Sequence, residues 1–114
     1  MNTSREEAFL FFRKWLNEGS WLLCMADVGS APLTMNCRIV ELSESEVRVE
    51  SDENRVIGFT LPPRAEFWFA EPSSFPTLQE QISVALSLAV FTPDGSKQTS
   101  VVFCELKNGP IYLK

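Results

Sequence analysis

The chain has 114 residues, 45% of them hydrophobic and 22% charged, which is enough apolar material for one core without disulfides or a metal and too little for two. Its formal net charge is -5, and Arg13-Lys14 is the one adjacent basic pair, so neither nucleic acid nor an anionic membrane surface is an expected partner. Histidine is absent, and Cys24, Cys37 and Cys104 are far apart with no CxxC spacing, so no metal or cofactor site is expected.

The first element predicted is a helix over residues 3–18. Thr3 with Glu6, and Ser4 with Glu7, both have capping-box spacing, and Gly19 follows the last periodic residue, where a left-handed cap is easy for glycine. At a helical period, Ala8, Phe9, Phe11, Phe12, Trp15 and Leu16 fall within an arc of roughly 160°. Leu10 alone points into the polar face, which marks it as solvent-facing and near a contact surface. Arg13 and Lys14 cut the apolar stretch short, so the segment is no secretory signal. No run approaches the roughly twenty apolar residues of a membrane span, and the chain reads as cytoplasmic.

After Gly19 the period changes to two. A strand is expected over residues 20–28, then a turn at Gly29-Ser30-Ala31-Pro32. A longer strand over 33–42 follows, whose apolar side changes at Val40 and Leu42, as a bulge or strong bend would require. Ser43-Glu44-Ser45 turns into a strand at 46–51, and Asp52-Glu53-Asn54 turns into another at 55–61. Pro62-Pro63 interrupts hydrogen bonding before a strand at 64–70. In that strand Phe67, Trp68 and Phe69 must send rings to both faces. Residues 71–78 read as a loop.

The cleanest pattern lies at 81–92. Ile82, Val84, Leu86, Leu88 and Val90 share one face, expected to be core, while Ser83, Ala85, Ser87 and Ala89 make a small, uncharged opposite face. Small side chains let another element approach closely, so either the N-terminal helix or a second copy of the chain is expected there. Leu10, Trp68, Ser83, Ala85, Ser87 and Ala89 are therefore the candidate contact residues. Pro93-Asp94-Gly95-Ser96 makes a hairpin turn, its partner strand runs over 98–106, and a last short strand is expected at 111–113.

One helix and six or seven strands joined by short turns imply a mainly β domain spanning residues 1–114, with a helix at 3–18 and an antiparallel barrel at 20–113. A β-sandwich is the alternative. The run Asn36-Cys37-Arg38-Ile39-Val40-Glu41-Leu42-Ser43, followed by Val47-Arg48-Val49-Glu50-Ser51, resembles the bent-strand hairpin of Sm-like, SH3-like small barrels. The preceding helix fits that architecture, so the resemblance implies the fold. Ser43-Glu44-Ser45-Glu46 stands where that family carries an Asp-x-x-Met-Asn run that reads RNA, so RNA binding is not implied.

No constellation for catalysis emerges. General acid–base chemistry would fall to carboxylates or a perturbed lysine. The acidic residues from Glu41 to Glu53 border turns, where they keep a strand edge soluble. The cysteines sit in apolar strand contexts and are expected to be reduced, buried and inert. The function class expected is a non-enzymatic interaction or assembly domain, self-associating as a homodimer or binding another protein. A small-molecule-binding barrel is the alternative, with RNA binding third.

Overall fold

The computed structural model describes residues 2–28, 31–91 and 98–111. It is mainly β, with a single α-helix on an eight-stranded antiparallel sheet. In chain order the elements are β1 (Asn2–Thr3), α1 (Arg5–Glu18), β2 (Leu22–Val28), β3 (Ala31–Leu42), β4 (Glu46–Ser51), β5 (Val56–Thr60), β6 (Glu66–Ala70), β7 (Ile82–Phe91) and β8 (Gln98–Leu106). Of the expected turn at residues 29–32, Ala31 and Pro32 instead begin β3, paired with Val28 and Asp27; residues 29–30, the expected turn at 93–96, residues 112 and 113 of the expected last strand, and the side chain of Val90 lie outside the described residues.

The helix starts at Arg5, two residues later than expected. Ser4 is the N-cap and accepts from the Glu7 N–H at 3.1 Å, which satisfies an otherwise orphaned donor. Thr3 belongs instead to β1. Gly19 ends the helix at φ 62° and donates its N–H to the Trp15 carbonyl, a left-handed cap.

The sheet order is β1-β6-β7-β8-β2-β3-β4-β5. Every pair of consecutive strands from β2 onward is hydrogen-bonded except β5 and β6, and β8 returns to β2. This is an up-and-down arrangement opened at one joint. The expected barrel is therefore not closed: β5 and β6 do not pair. The joint contains Pro62 and Pro63, which have no N–H to donate, and the edge of β6 that β5 would need is taken by β1.

The sheet must nonetheless curl. Between β6 and β5 lie six strand spacings, about 29 Å if the sheet were flat. Residues 61–65 joining them reach only about 20 Å when extended. The curl brings β5 over the middle of the sheet, where the Phe59 ring meets Phe103 of β8 edge-on at 5.7 Å. The bulge expected in β3 supplies part of the bend. Ile39 pairs with Val49 and Glu41 with Arg48, leaving Val40 as the extra residue.

Helix α1 fills the concave face. Ala8, Phe9, Phe12 and Trp15 are buried against inward residues of the sheet, among them Leu22, Phe67, Leu86 and Phe103. The far end of the helix is fastened where Glu105 accepts from the Trp15 indole N–H and pairs with Lys14 at 3.4 Å.

A second, smaller core lies on the opposite face of β2, β7 and β8, where Leu23, Ala85, Cys104 and Leu106 meet Ile82 and Leu78. The residues read as a loop after β6 cover it. A 3-10 turn at Pro72–Ser74 leads to Phe75 and Leu78, whose N–H donates to the Phe75 carbonyl at 2.8 Å. Ile111 packs on the same cluster, held by Asn36. The Asn36 Nδ2 donates to the Ile111 carbonyl at 2.7 Å, and its Oδ1 accepts from the Ile111 N–H at 2.9 Å. A buried amide thus stands in for a strand neighbour, with its polar atoms satisfied.

Candidate functional site

Sequence patterning placed Ser83, Ala85, Ser87 and Ala89 on one open face of β7. Ser83 is exposed, but Ala85, Ser87 and Ala89 are 1%, 4% and 0% exposed within the single chain. Neither α1 nor a second copy is needed to cover them, because α1 lies on the opposite face with Leu86 and Leu88. Ala85 is sealed by the chain's own second core. Ser87 sits between Trp68 of β6 and Val102 of β8. Trp68 is half-buried and points away from the helix, whereas the flanking Phe67 and Phe69 meet Phe12 and Phe11. The expectation for Ile82 also changes. A register shift between Ile82 and Val84 makes Ser83 the extra residue, which moves Ile82 off the face of Val84, Leu86 and Leu88 and into the second core.

Leu10 is 60% exposed, as its place on the polar side of the helix requires. It lines an open groove of about 850 Å³ between α1, the β3–β4 turn and the joint after β5, with Phe9, Leu61 and Pro63 as apolar lining and Glu6, Arg13 and Glu44 as exposed charges. Arg5 holds one end of this groove shut. Its guanidinium donates to the carbonyls of Pro62 at 2.9 Å, Leu61 at 2.8 Å and Glu44 at 2.6 Å. The same group lies over the rings of Phe9 and Phe67. Three carbonyls therefore occupy this cation, and it ties the helix N-terminus across the unpaired joint. Leu10→Lys should leave the unfolding free energy from urea titration within about 0.5 kcal/mol of the parent, as for surface substitutions generally. Marked unfolding would place Leu10 in the core and contradict the helix phase.

The two ends of the sheet differ. At one, β1 is a two-residue strand that runs straight into α1, a blunted edge. At the other, β5 is bonded to β4 on one side and, among the described residues, to no strand on the other. The Leu61 N–H donates to the Ser45 carbonyl at 2.7 Å, and the Ser51 N–H to the Arg55 carbonyl at 2.7 Å. Because main-chain groups alternate along an antiparallel strand, Ile57 and Phe59 turn theirs toward β4, and Val56, Gly58 and Thr60 turn theirs to the free edge. The strand Val56-Ile57-Gly58-Phe59-Thr60 carries no charge and no proline, the two devices that commonly guard an edge. Val56 is 57% exposed. Sequence patterning found this strand but not its position, which depends on whether β5 meets β6. Pro62-Pro63 was the available signal.

All three cysteines are free and buried. The adjacent Cys37 thiol hydrogen-bonds with Cys24 and, with burial, pushes the Cys24 thiol far above its ordinary value. Burial pushes Cys104 up to about 12. A thiol reagent at mildly alkaline pH should label the native protein slowly and the urea-unfolded protein at once. Rapid native labelling of two or more thiols would overturn this burial. The folded state keeps protons that the unfolded state releases, so these groups favour folding below their ordinary value of 9.0 and cease to do so as pH climbs toward 12. Stability should therefore fall over that alkaline range. Among the described residues, no group of three or more cysteines and carboxylates gathers as metal ligands would, and no helix is long and apolar enough to cross a membrane.

No family model matches this chain, and neither a curated protein nor a solved structure matches it significantly. What the molecule offers a partner is thus read from two surface features, the open β5 edge and the groove beside Leu10. The first presents a row of main-chain donors and acceptors. The second presents apolar lining flanked by mixed charges. Neither brings together a nucleophile, a base and an activating neighbour.

Proposed function

We propose that the protein is a non-enzymatic interaction domain that docks partners by adding a strand to β5. The observation carrying this reading is the edge itself, an uncharged, proline-free strand whose outward main-chain groups at Val56, Gly58 and Thr60 have no strand to pair with among the described residues. Pairing of this kind draws affinity from main-chain hydrogen bonds and specificity from alternate side chains. The thiols, buried and held protonated, support the non-enzymatic part. Free cysteines also suit a reducing, cytoplasmic compartment. The net charge of -5 supports a protein partner over nucleic acid or an anionic membrane. The Sm-like, SH3-like reading of the architecture belongs to this proposal, supported by the N-terminal helix and the bulged β3.

A second reading, small-molecule binding, rests on the groove beside Leu10. Amide NMR separates the two when an uncharged peptide of alternating valine and threonine is titrated in. Strand addition shifts and protects the Val56, Gly58 and Thr60 amides. Shifts confined to Phe9, Leu10 and Leu61, with a co-purifying mass in native mass spectrometry, would overturn the edge reading and support the groove.

A further inference from the structure

We infer that the strand added to β5 is β5 of a second copy, paired antiparallel about a two-fold axis through Gly58. This inference rests on the edge reading above and goes further by naming the partner and the register. Val56, Gly58 and Thr60 are the residues that present main-chain groups to the free edge, and they are symmetric about Gly58. In that register Gly58 faces Gly58 of the other copy, and Val56 faces Thr60 in both directions. Each of the three pairs exchanges two bonds, about six in all. An isologous contact needs this self-complementarity, with the same patch on both copies.

The side chains fit the register. Gly58 puts no Cβ at the centre, which leaves room there for a charged side chain from β4. That space is shaped by Glu46, whose carboxylate lies over Gly58, 2.8 Å from where a Cβ would stand, and accepts from the Arg48 Nε at 2.7 Å. Val56 against Thr60 is a β-branched pair, a favourable cross-strand combination.

Charge does not oppose the contact. The charged residues of β4 on this outer face are Glu46, opposite Thr60, Arg48, opposite Gly58, and Glu50, opposite Val56. The Glu46 carboxylate leans over Gly58, so an Arg48–Glu46 ion pair from each copy flanks the axis, where the guanidinium of one copy can face the carboxylate of the other. Glu46 is moreover neutralised by its Arg48 partner. An extended peptide could use the same edge, but it would bring no Arg48–Glu46 pair to the axis. The second copy supplies a matched set at every position.

Sedimentation equilibrium with charge-patterned variants tests the register, because positions 56 and 60 are exposed and tolerate charge without unfolding. The parent chain should be a dimer. V56K/T60K sets lysine against lysine at both flanking pairs and should weaken the dimer by about tenfold or more. V56K/T60E sets lysine against glutamate in this register alone and should restore most of the loss. On dimerisation the Val56, Gly58 and Thr60 amides should become slow to exchange, while Ile57 and Phe59 are protected in both states. A chain monomeric at about 100 μM, where association weaker than about -5.5 kcal/mol would go unseen, overturns the second copy while leaving strand addition by another partner to the peptide titration. A dimer indifferent to V56K/T60K overturns both the register and β5 as the docking strand. Loss in V56K/T60K without recovery in V56K/T60E overturns the two-fold through Gly58.

Discussion

Ala85→Lys should unfold the chain, not dissociate an assembly. Ala85 pairs with Ala70 on β6 and Cys104 on β8 and is enclosed by Leu23, Leu78, Ile82 and Leu106. A lysine there must force its stem into a packed layer and carry an ammonium among apolar groups. Overpacking and burial of an unpaired charge together cost on the order of 4 kcal/mol or more, a large part of the 5–15 kcal/mol that holds a typical domain together. Ala85→Ser, which adds only a hydroxyl, should cost about 1–3 kcal/mol and stay folded. Far-UV circular dichroism and urea unfolding read both. A folded Ala85→Lys whose only change is in oligomeric mass would mean that Phe75 and Leu78 do not cover this face.

Local order was the part most legible in the sequence. The strands at Glu46–Ser51 and Gln98–Leu106 and the left-handed cap at Gly19 follow from alternation and cap chemistry alone. So does the β3 bulge, because a change of apolar side at Val40 has few other physical causes. The exposure of Leu10 follows from helical phase. Long-range facts were not legible. Nothing in Asn2-Thr3 marks a strand, since two residues carry no period, yet that strand occupies the edge of β6 and leaves β5 open. The covering of Ala85 was misread for a related reason. The small residues did signal a close neighbour, but the segment after β6, rich in proline and serine, reads locally as loop, and its role as a lid comes from where Phe75 and Leu78 land. Ile82 shows the same limit within one strand: unbroken alternation in the sequence does not reveal that Ser83 is an inserted residue.

The edge that carries the proposed function follows from the same competition. A closed barrel would have used the free groups of β5 internally. Pro62-Pro63 removes two donors at the joint, β1 takes the place beside β6, and Arg5 satisfies the joint's carbonyls with a side chain. The barrel's missing closure is thus stabilised on the β6 side and at the joint, while β5 is left with outward groups to offer. Helix placement and edge availability have a common origin in the first five residues of the chain.

Phe12→Ala should be among the most destabilising truncations in the main core. Phe12 is fully buried and meets four rings edge-on or nearly so: Phe9 at 5.7 Å, Trp15 at 6.0 Å, Phe67 at 6.3 Å and Phe103 at 5.6 Å. It therefore joins α1 to β6 and β8 at once. Truncating a buried phenylalanine costs about 3–5 kcal/mol through lost transfer energy and the cavity left behind. The rings around it are held from three elements, so collapse cannot fill that cavity, which places Phe12 toward the upper end. Phe59 gives the comparison, because it is half-buried on the edge strand and its one ring contact among the described residues is Phe103. Phe59→Ala should cost about half as much, and Phe12→Leu, which keeps most of the volume, should recover much of the Phe12→Ala loss. Urea unfolding at a protein concentration low enough to keep the chain monomeric reads all three, with an unchanged slope showing that the native fold is retained. If Phe59→Ala proved the costlier, the core would be organised around the overlapping β5 strand, and the helix would be an ornament on a sheet that folds without it.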